Sequence, residues 1–331
     1  MAKVAINGMG RIGRAALKIL EDDDQLELVA VNDIVPLDNI AYLLRFDTVY
    51  GRYGKTVEAK GDRLVVGGHE IKFFSEKDPA QLPWDELEVD LVIESTGVFT
   101  NHPALEKHLE AGAKYVILSA PAKDETLTVV HGVSDLGDEV PQIISCASCT
   151  TNCITPVVEV MGRRIGVDKA VMTTIHAYTS SQAIVDSPAK KVRRGRAGAA
   201  NLVPTSTGAA VATTKALPQY AGRFDGVAVR APVPVGSIAD IVFVTERETS
   251  VDEVNKIFRE EAQTDRYKGI LGASDDPLVS SDIIGDSRAS IVDLEMTQVV
   301  GGTLVKVMSW YDNEWGYTNQ MVRQAREMLI A

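Results

Sequence analysis

Cysteine is scarce in this chain of 331 residues: there are three, and none lies outside one stretch of eight positions. A disulfide framework needs scattered pairs, so a disulfide-stapled fold is excluded and a reducing compartment is expected. No apolar run reaches the ~18 residues of a membrane span. The N-terminus runs straight into Lys3-Val4-Ala5-Ile6-Asn7-Gly8, without the basic region and apolar core of a secretory signal. A cytoplasmic protein without membrane attachment is therefore expected. An excess of positive charge is missing too. The formal net charge is −12, which argues against nucleic-acid binding as the main role. Internal repeats, linkers and low-complexity segments are likewise absent.

What is present is ample core. Hydrophobic residues make up 45% and charged residues 24%, a globular composition, and the length suggests two domains. The first half alternates strand-like and helix-like segments. Val4 to Asn7 and Leu26 to Asn32 read as strands around a helix from Arg11 to Leu20. Leu37 to Phe46 reads as a helix, and residues 64–66 and 71–73 read as a hairpin around Gly67-Gly68. Val89 to Glu94 and Tyr115 to Ser119 read as strands around a helix from Pro103 to Ala111. Strands apolar on both faces and alternating with helices predict an α/β fold with a doubly wound parallel sheet. After Cys149 the pattern changes. A long helix precedes a strand from Lys169 to Ile175, then a loop rich in Gly, Arg and Pro from Pro188 to Gly208. Residues 227–233, 238–244 and 304–310 follow as strands with short connections, which predicts a second domain with a mixed or antiparallel sheet. A terminal helix runs from Asn319 to Ile330.

Gly8-Met9-Gly10-Arg11-Ile12-Gly13 is G-x-G-x-x-G, directly after a strand and opening a helix. The first glycine allows the tight turn, the second lets backbone approach a diphosphate, and the third lets helix and strand pack closely. The diphosphate would sit on the helix N-terminus. Asp33 ends the second strand 20 residues past Gly13, where a carboxylate accepts ribose hydroxyls and repels a 2′-phosphate. The pattern predicts a Rossmann-type domain that binds NAD rather than NADP. The bland alternative for Asp33 alone is a turn or capping aspartate.

Cys146, Cys149 and Cys153 lie where the apolar stretch from Val140 to Ile144 gives way to a helix. A thiol at a helix start meets free N–H groups and the positive end of the dipole, which favours its thiolate. Cys149, between the small polar residues Ser148 and Thr150, is the natural nucleophile. His176 ends a strand and can serve as its base. Of the other four histidines, His69 falls in a hairpin turn, His102 and His108 on a surface helix, and His131 at a strand end, as runner-up. A zinc site would need a fourth ligand that the cluster lacks, so no metal is expected. A Cys146-x-x-Cys149 redox pair has the spacing but not the usual setting.

Lys190-Lys191-Val192-Arg193-Arg194-Gly195-Arg196 is the densest basic run. It reads as a solvated loop unless an anion meets it. Thr205-Ser206-Thr207-Gly208 follows with donors suited to phosphate, and Arg230 closes an otherwise apolar strand where a guanidinium needs an anion. These features predict a phosphate-bearing substrate and a second, inorganic phosphate.

Over nearly its whole length the chain resembles phosphorylating glyceraldehyde-3-phosphate dehydrogenases. The resemblance rests on residues 6–14, Val31-Asn32-Asp33, Ser119-Ala120-Pro121-Ala122-Lys123, Ala147-Ser148-Cys149-Thr150-Thr151-Asn152-Cys153, Thr207-Gly208-Ala209-Ala210 and Trp310-Tyr311-Asp312-Asn313-Glu314-Trp315-Gly316-Tyr317. It implies a NAD-dependent oxidoreductase of glycolysis and gluconeogenesis that turns glyceraldehyde 3-phosphate and inorganic phosphate into 1,3-bisphosphoglycerate. Cys149 would form a hemithioacetal and then a thioester, with His176 as base. Gly8, Gly10, Arg11, Ile12, Gly13, Asp33, Lys77, Ser119 and Asn313 would bind NAD. Ser148, Thr150, Thr179, Arg194, Thr207, Gly208 and Arg230 would hold the two phosphates. The implied organisation is an NAD-binding domain over 1–148, an α+β catalytic domain over 149–312 and a helix over 313–331 packing back on the cofactor domain, in a homotetramer. Alternatives are an erythrose-4-phosphate dehydrogenase, which tends to lose the Thr179 and Thr207-Gly208 residues, and a non-catalytic nucleotide-binding protein. Met9 stands where the family usually has Phe, Lys77 where Arg is frequent, and Ser187 where NAD-preferring relatives often have Leu. The run from Pro232 to Ser237 also departs from the family. Cys146 stands where Asn is usual, and would let an oxidised Cys149 pair reversibly with it.

Overall fold

The computed structural model describes residues 1–137 and 140–330; residues 138, 139 and 331, which fall in the expected first domain and terminal segment, lie outside these. The chain divides into two compact units. The first comprises Met1–His131, Asp135–Ala147 and the chain from Met321 on; the second comprises Gly132–Ser134 and Ser148–Gln320. The division falls after Ala147, one residue before the expected 148. The expected segment 313–331 is split, because its residues before Met321 group with the second unit.

The first unit is built on β1 (Ala2–Asn7), α1 (Arg11–Leu20), β2 (Leu26–Asn32), α2 (Leu37–Arg45), a short pair β3 (Phe46–Asp47) and β4 (Gly51–Arg52), then β5 (Val57–Lys60), β6 (Arg63–Val66) and β7 (His69–Phe74). It continues with β8 (Leu91–Glu94), α3 (His102–Glu110), β9 (Tyr115–Leu118) and β10 (Ile143–Ser145). Its eight-stranded sheet has the order β10-β9-β8-β1-β2-β7-β6-β5. The strands from β10 through to β7 pair in parallel, and β6 and β5 are antiparallel additions. β8 is buried throughout, the mark of a strand covered on both faces. The order reverses at β1, which lies between β2 and β8, and open α/β sheets bind ligands at such a point. Gly67 and Gly68 turn between β6 and β7 with φ of 59° and 95°, left-handed values that glycine adopts without strain. α3 is not a surface helix on all sides. His108 is fully buried and packs beside Trp84, so its assignment to a solvated face is corrected. His69 opens β7 instead of lying in a turn, with Nδ1 2.7 Å from Glu21.

The second unit holds α4 (Cys149–Arg164), β11 (Val167–Ala177), β12 (Val203–Ser206), α5 (Ala209–Ala216), β13 (Phe224–Ala231), β14 (Ser237–Thr245), α6 (Val251–Glu261), β15 (Leu271–Ser274), β16 (Ser290–Val300), β17 (Leu304–Tyr311) and the start of α7 (Trp315–Ile330). Its seven-stranded sheet runs β12-β13-β11-β14-β17-β16-β15. β11 is parallel to β13 and antiparallel to β14, so the sheet is mixed, as expected. One face packs on α4 through Val157, Met161, Met172, Ile241 and Val307. The opposite face leaves Val171, Val227 and Leu304 exposed. β13 stops at Ala231 and does not reach Val233, because Pro232 has no N–H for the ladder. α7 starts four residues before the expected Asn319, because Asp312 Oδ1 accepts the N–H groups of Glu314 (2.9 Å) and Trp315 (2.7 Å). Part of the expected loop from Pro188 to Gly208 forms strand β12 against β13. No helix among the described residues is long and apolar enough to cross a membrane.

Candidate active site

In the first unit the three glycines of the G-x-G-x-x-G turn differ in their constraints. Gly8 has φ of 98°, and a Cβ there would stand 2.6 Å from Thr96 N. A Cβ on Gly13 would stand 1.9 Å from Gly8 O, so helix and turn touch backbone to backbone. Among the described residues, none beyond its own chain neighbours comes within 4 Å of a Cβ placed on Gly10, and helix α1 has no side-chain cap. Open space before uncapped N–H groups is what a diphosphate requires. A cavity of about 350 Å³ lies at the ends of β1, β2, β7 and β8, lined by Gly8, Gly10, Asp33, Lys77, Thr96, Phe99 and their neighbours. Asp33 stays in place because its carboxylate accepts the N–H groups of Met9 (2.6 Å) and Val35 (2.9 Å).

The other expected cofactor residues are placed differently. The Arg11 guanidinium pairs with Asp47 at 2.6 Å and lies over the Tyr50 ring. Ile12 follows it, half-buried in α1. Ser119 lies just past β9 and donates its N–H to Glu94 O at 2.9 Å. Asn313 belongs to the second unit, where its Oδ1 accepts from Ser237 Oγ at 3.0 Å.

Beneath the cradle lies a buried polar network that the sequence reading missed. Glu94 Oε1 accepts the Thr96 N–H (2.8 Å) and hydroxyl (2.5 Å), and Oε2 meets Asn7 Nδ2 (2.6 Å) and His108 Nε2 (3.1 Å). Trp84 Nε1–H donates to His108 Nδ1 at 3.1 Å, which leaves the ring hydrogen on Nε2, facing Glu94. The available signal was a carboxylate closing the all-apolar run Leu91-Val92-Ile93.

In the second unit Cys149 is the first residue of α4. Ala147 before it has φ of 56°, an uncommon value for a residue with a Cβ. Ser148 caps the helix, its Oγ accepting the Thr151 N–H at 3.1 Å. Cys149 Sγ lies 3.4 Å from His176 Nε2. Parallel pairing of β11 with β13 sets Arg230 directly across from His176. Arg230 Nη1 is 2.7 Å from His176 Nδ1 and 3.0 Å from Ala177 O, and Nδ1 is itself 2.7 Å from that oxygen. Arg230 Nε is buried with no partner among the described residues.

Burial, with the Arg230 cation next in effect, brings the His176 ring down to about 3, so it is neutral at pH 7. Burial also raises the Cys149 thiol, although Arg230 and the Thr150 N–H and hydroxyl pull it down. Burial thus works against the thiolate expected at a helix start, while Arg230 and the N–H groups of the first turn work for it. Cys146 and Cys153 are pushed up to about 12 by burial.

The expected phosphate residues fall into connected sets. Thr179 Oγ1 meets Ser181 Oγ at 2.9 Å; Arg194 donates to Ser181 Oγ (3.3 Å) and Thr205 Oγ1 (3.1 Å). Ser181 was not anticipated. Thr207 Oγ1 accepts the Ala209 N–H at 3.2 Å, and Gly208 caps α5. Thr150 Oγ1 lies 2.8 Å from Tyr311 Oη. Of the basic run, Arg196 pairs with Asp186, and Lys191 reaches Ser206. Arg194 and Arg230 have no carboxylate partner among the described residues, and Arg194 adds to the field that depresses His176. Two cations without counter-ions beside a thiol suit an anionic substrate.

A glycine cradle with its aspartate, followed by a second unit of this chemistry, defines a dinucleotide-dependent dehydrogenase. Residues 2–102 match the glyceraldehyde 3-phosphate dehydrogenase NAD binding domain, and residues 148–313 match the C-terminal domain of the same enzymes. The chain belongs to the glyceraldehyde 3-phosphate dehydrogenase family, and its cofactor is NAD. It is 49% identical over 323 residues to glyceraldehyde-3-phosphate dehydrogenase 2 of Streptomyces avermitilis, covering 97% of this chain and 96% of that one. It is 50% identical over 327 residues to the glyceraldehyde-3-phosphate dehydrogenase of Thermotoga maritima, covering 97% of each. It is 46% identical over 322 residues to glyceraldehyde-3-phosphate dehydrogenase 1 of Bacillus subtilis, covering 97% and 96%.

Proposed function

We propose that the protein oxidises glyceraldehyde 3-phosphate in the presence of inorganic phosphate to 1,3-bisphosphoglycerate, with Cys149 as nucleophile and His176 as base. The observation that carries this reading is the 3.4 Å approach of Cys149 Sγ to His176 Nε2, beside an Arg230 Nε that has no partner among the described residues. His176 takes the thiol proton as sulfur adds to the aldehyde carbon, and returns it to the oxygen as the hemithioacetal forms. The N–H of Cys149, at the start of α4, steadies the developing oxyanion. His176 then removes the hydroxyl proton as the carbon loses a hydride, leaving a thioester on Cys149. NAD supplies the acceptor for that hydride. Phosphate oxygen attacks the thioester, the carbon–sulfur bond breaks, and His176 gives its proton to the departing sulfur.

Arg194, Arg230, Thr179, Thr207, Gly208, Ser148 and Thr150 hold the two phosphates. Gly8, Gly10, Gly13 and Asp33 hold the dinucleotide, with Arg11, Ile12, Lys77, Ser119 and Asn313 completing its site; the open space at Gly10 and the anchored Asp33 support this. Asp33 favours NAD over NADP. The protein works in the cytoplasm as a homotetramer, a state supported by the apolar sheet face around Val171, Val227 and Leu304. The test is NADH formation with glyceraldehyde 3-phosphate, NAD and phosphate, repeated without phosphate, with NADP, with erythrose 4-phosphate and with Cys149→Ser. Turnover that does not need phosphate or Cys149, or that prefers erythrose 4-phosphate, would overturn the reading.

A further inference from the structure

A file of buried side chains crosses the ends of four adjacent strands in the first unit. The sheet order there is β8-β1-β2-β7. Glu94 ends β8, Asn7 ends β1, Asn32 ends β2, and Glu76 lies just past β7. Asn7 Nδ2 donates to Glu94 Oε2 (2.6 Å), Asn32 Nδ2 to Asn7 Oδ1 (2.7 Å), and the Glu76 N–H to Asn32 Oδ1 (2.8 Å). Glu76 Oε1 in turn accepts the N–H groups of Lys77 (2.7 Å) and Asp78 (3.0 Å). At its other oxygen Glu94 holds the Thr96 N–H and hydroxyl, and Thr96 Oγ1 accepts the Val98 N–H at 3.1 Å. One carboxylate thus connects the loop after β8 with the loop after β7, and both loops line the cofactor cavity.

The file has a direction. A backbone N–H only donates, so Asn32 must turn Oδ1 to Glu76 and Nδ2 to Asn7. Asn7 then has only Nδ2 left for Glu94. His108 also presents a hydrogen to Glu94, because the Trp84 N–H occupies its Nδ1. The two oxygens of Glu94 therefore face four donors, which a carboxylate satisfies and an amide does not. Glutamine has nearly the same size, but its Nε2 carries hydrogens. Facing Thr96, that nitrogen meets a peptide N–H; facing the other way, it meets Asn7 Nδ2 and the His108 N–H. Turning Asn7 over to suit it sets Nδ2 against Asn32 Nδ2, and turning Asn32 over sets Nδ2 against the Glu76 N–H. A misfit at the end of β8 is carried in this way to the loop after β7.

Packing alone does not call for a carboxylate here. Among the described residues Glu94 has no lysine or arginine partner, and it closes the apolar run Leu91-Val92-Ile93. Burying a carboxylate without a cation is costly, and an apolar residue of similar volume would fill the place at less cost. What the carboxylate secures is the cavity. Asn7, Asn32, Glu76 and Thr96 all line it, whereas Glu94 is fully buried. The glycine turn leans on the same file: a Cβ on Gly8 would stand 2.6 Å from Thr96 N, the atom whose hydrogen Glu94 accepts.

We propose that Glu94 is a positioning residue for NAD: it orients the amides of Asn7 and Asn32 and so holds the loops at 76–78 and 96–98 in the places from which they line the cofactor cavity. This rests on the reading of the glycine turn and its cavity as the NAD site. Glu94 acts through its neighbours, and its effect reaches the loop after β7 across two intervening strands.

The test compares the full-length protein, stripped of nucleotide, with Glu94→Gln and Gly10→Ala. NAD binding is measured by calorimetry, and backbone hydrogen exchange without NAD by mass spectrometry. Glu94→Gln should bind NAD about tenfold more weakly, the effect of about one unmade buried hydrogen bond. Peptides covering 76–78 and 96–98 should exchange about tenfold faster, with α4 and β11 unchanged. A residue that served stability alone would lower the melting temperature and leave the Kd of the folded protein where it is. Binding within about threefold of wild type, or weaker binding with unchanged exchange at 76–78, would overturn the proposal. Should Glu94→Gln fail to fold, Glu94→Asp takes its place with the same expected and overturning results, because a carboxylate withdrawn by one methylene cannot hold Thr96 and Asn7 at once. Gly10→Ala separates the two readings. Unchanged NAD affinity in that variant sinks the cavity as the NAD site, whereas weakened affinity there beside normal affinity in Glu94→Gln sinks only the positioning role.

Discussion

Replacing His176 with asparagine should change how acid affects stability more than it changes stability itself. In the folded chain the ring is buried, Arg230 adds positive charge beside it, and its pKa falls to about 3; an exposed histidine titrates near 6.5. Between those values the unfolded chain binds a proton that the folded ring cannot accept, so falling pH pulls the equilibrium toward the unfolded state. This stability is fully present above about 6.5 and is lost progressively as pH falls toward 3. At pH 5 the gap is about one and a half pH units below the unfolded value, which amounts to about 2 kcal/mol; at pH 7.5 it is close to zero. Asparagine has no such linkage, and the other titrating groups are common to both proteins, so they largely cancel in the comparison. Urea unfolding of ligand-free wild type and His176→Asn at pH 5 and 7.5, at one protein concentration, measures it. Relative to the variant, the wild type should lose about 2 kcal/mol on going to pH 5. A wild type–variant difference equal at both pH values within about 0.5 kcal/mol would show that water or a counter-ion reaches the folded ring, and would refute the argument.

Further outcomes follow from the same geometry. Gly10→Ala should leave the melting temperature unchanged yet weaken NAD binding at least tenfold by calorimetry, because only a ligand claims the space at its Cβ; Gly8→Ala should lower both, since its Cβ would meet Thr96 backbone at 2.6 Å. Glu94→Ala removes the acceptor of four donors, two of them buried, and should cost about 3 kcal/mol in urea unfolding, with a change in Trp84 fluorescence as His108 loses its anchor. Cys146→Ser should leave the recovery of peroxide-treated protein by dithiothreitol unchanged: burial pushes the Cys146 thiol up to about 12, so almost none is thiolate at neutral pH. Faster or slower recovery in the variant would restore a redox role for Cys146.

Much of the first unit could be read from the chain, because strands covered on both faces are continuous apolar runs and the turn glycines announce the cradle. The second unit was less legible. β16 interleaves Asp293, Glu295, Thr297 and Gln298 with its apolar residues and carries no long apolar run, and α5 is a short stretch of alanine and threonine without a strong apolar stripe. α6 was announced by Ser250 three residues before Glu253, a capping signal that the reading passed over. The polar network under the cofactor turn was invisible for a different reason: Asn7, Glu94, His108 and Trp84 come together only when the strands and α3 assemble.

The sequence by itself determined the chemistry available to this protein: a thiol at a helix start, a histidine at a strand end, arginines without obvious partners, and a glycine turn with its aspartate. These depend on residue identity and local spacing, which the chain carries directly. Tertiary structure alone decided how those groups behave. Parallel pairing of β11 with β13 brings Arg230 against His176 from 54 positions away, and close packing removes the water that would otherwise stabilise charge. A pKa and a tautomer depend on neighbours, burial and field, none of which is a property of the residue that titrates.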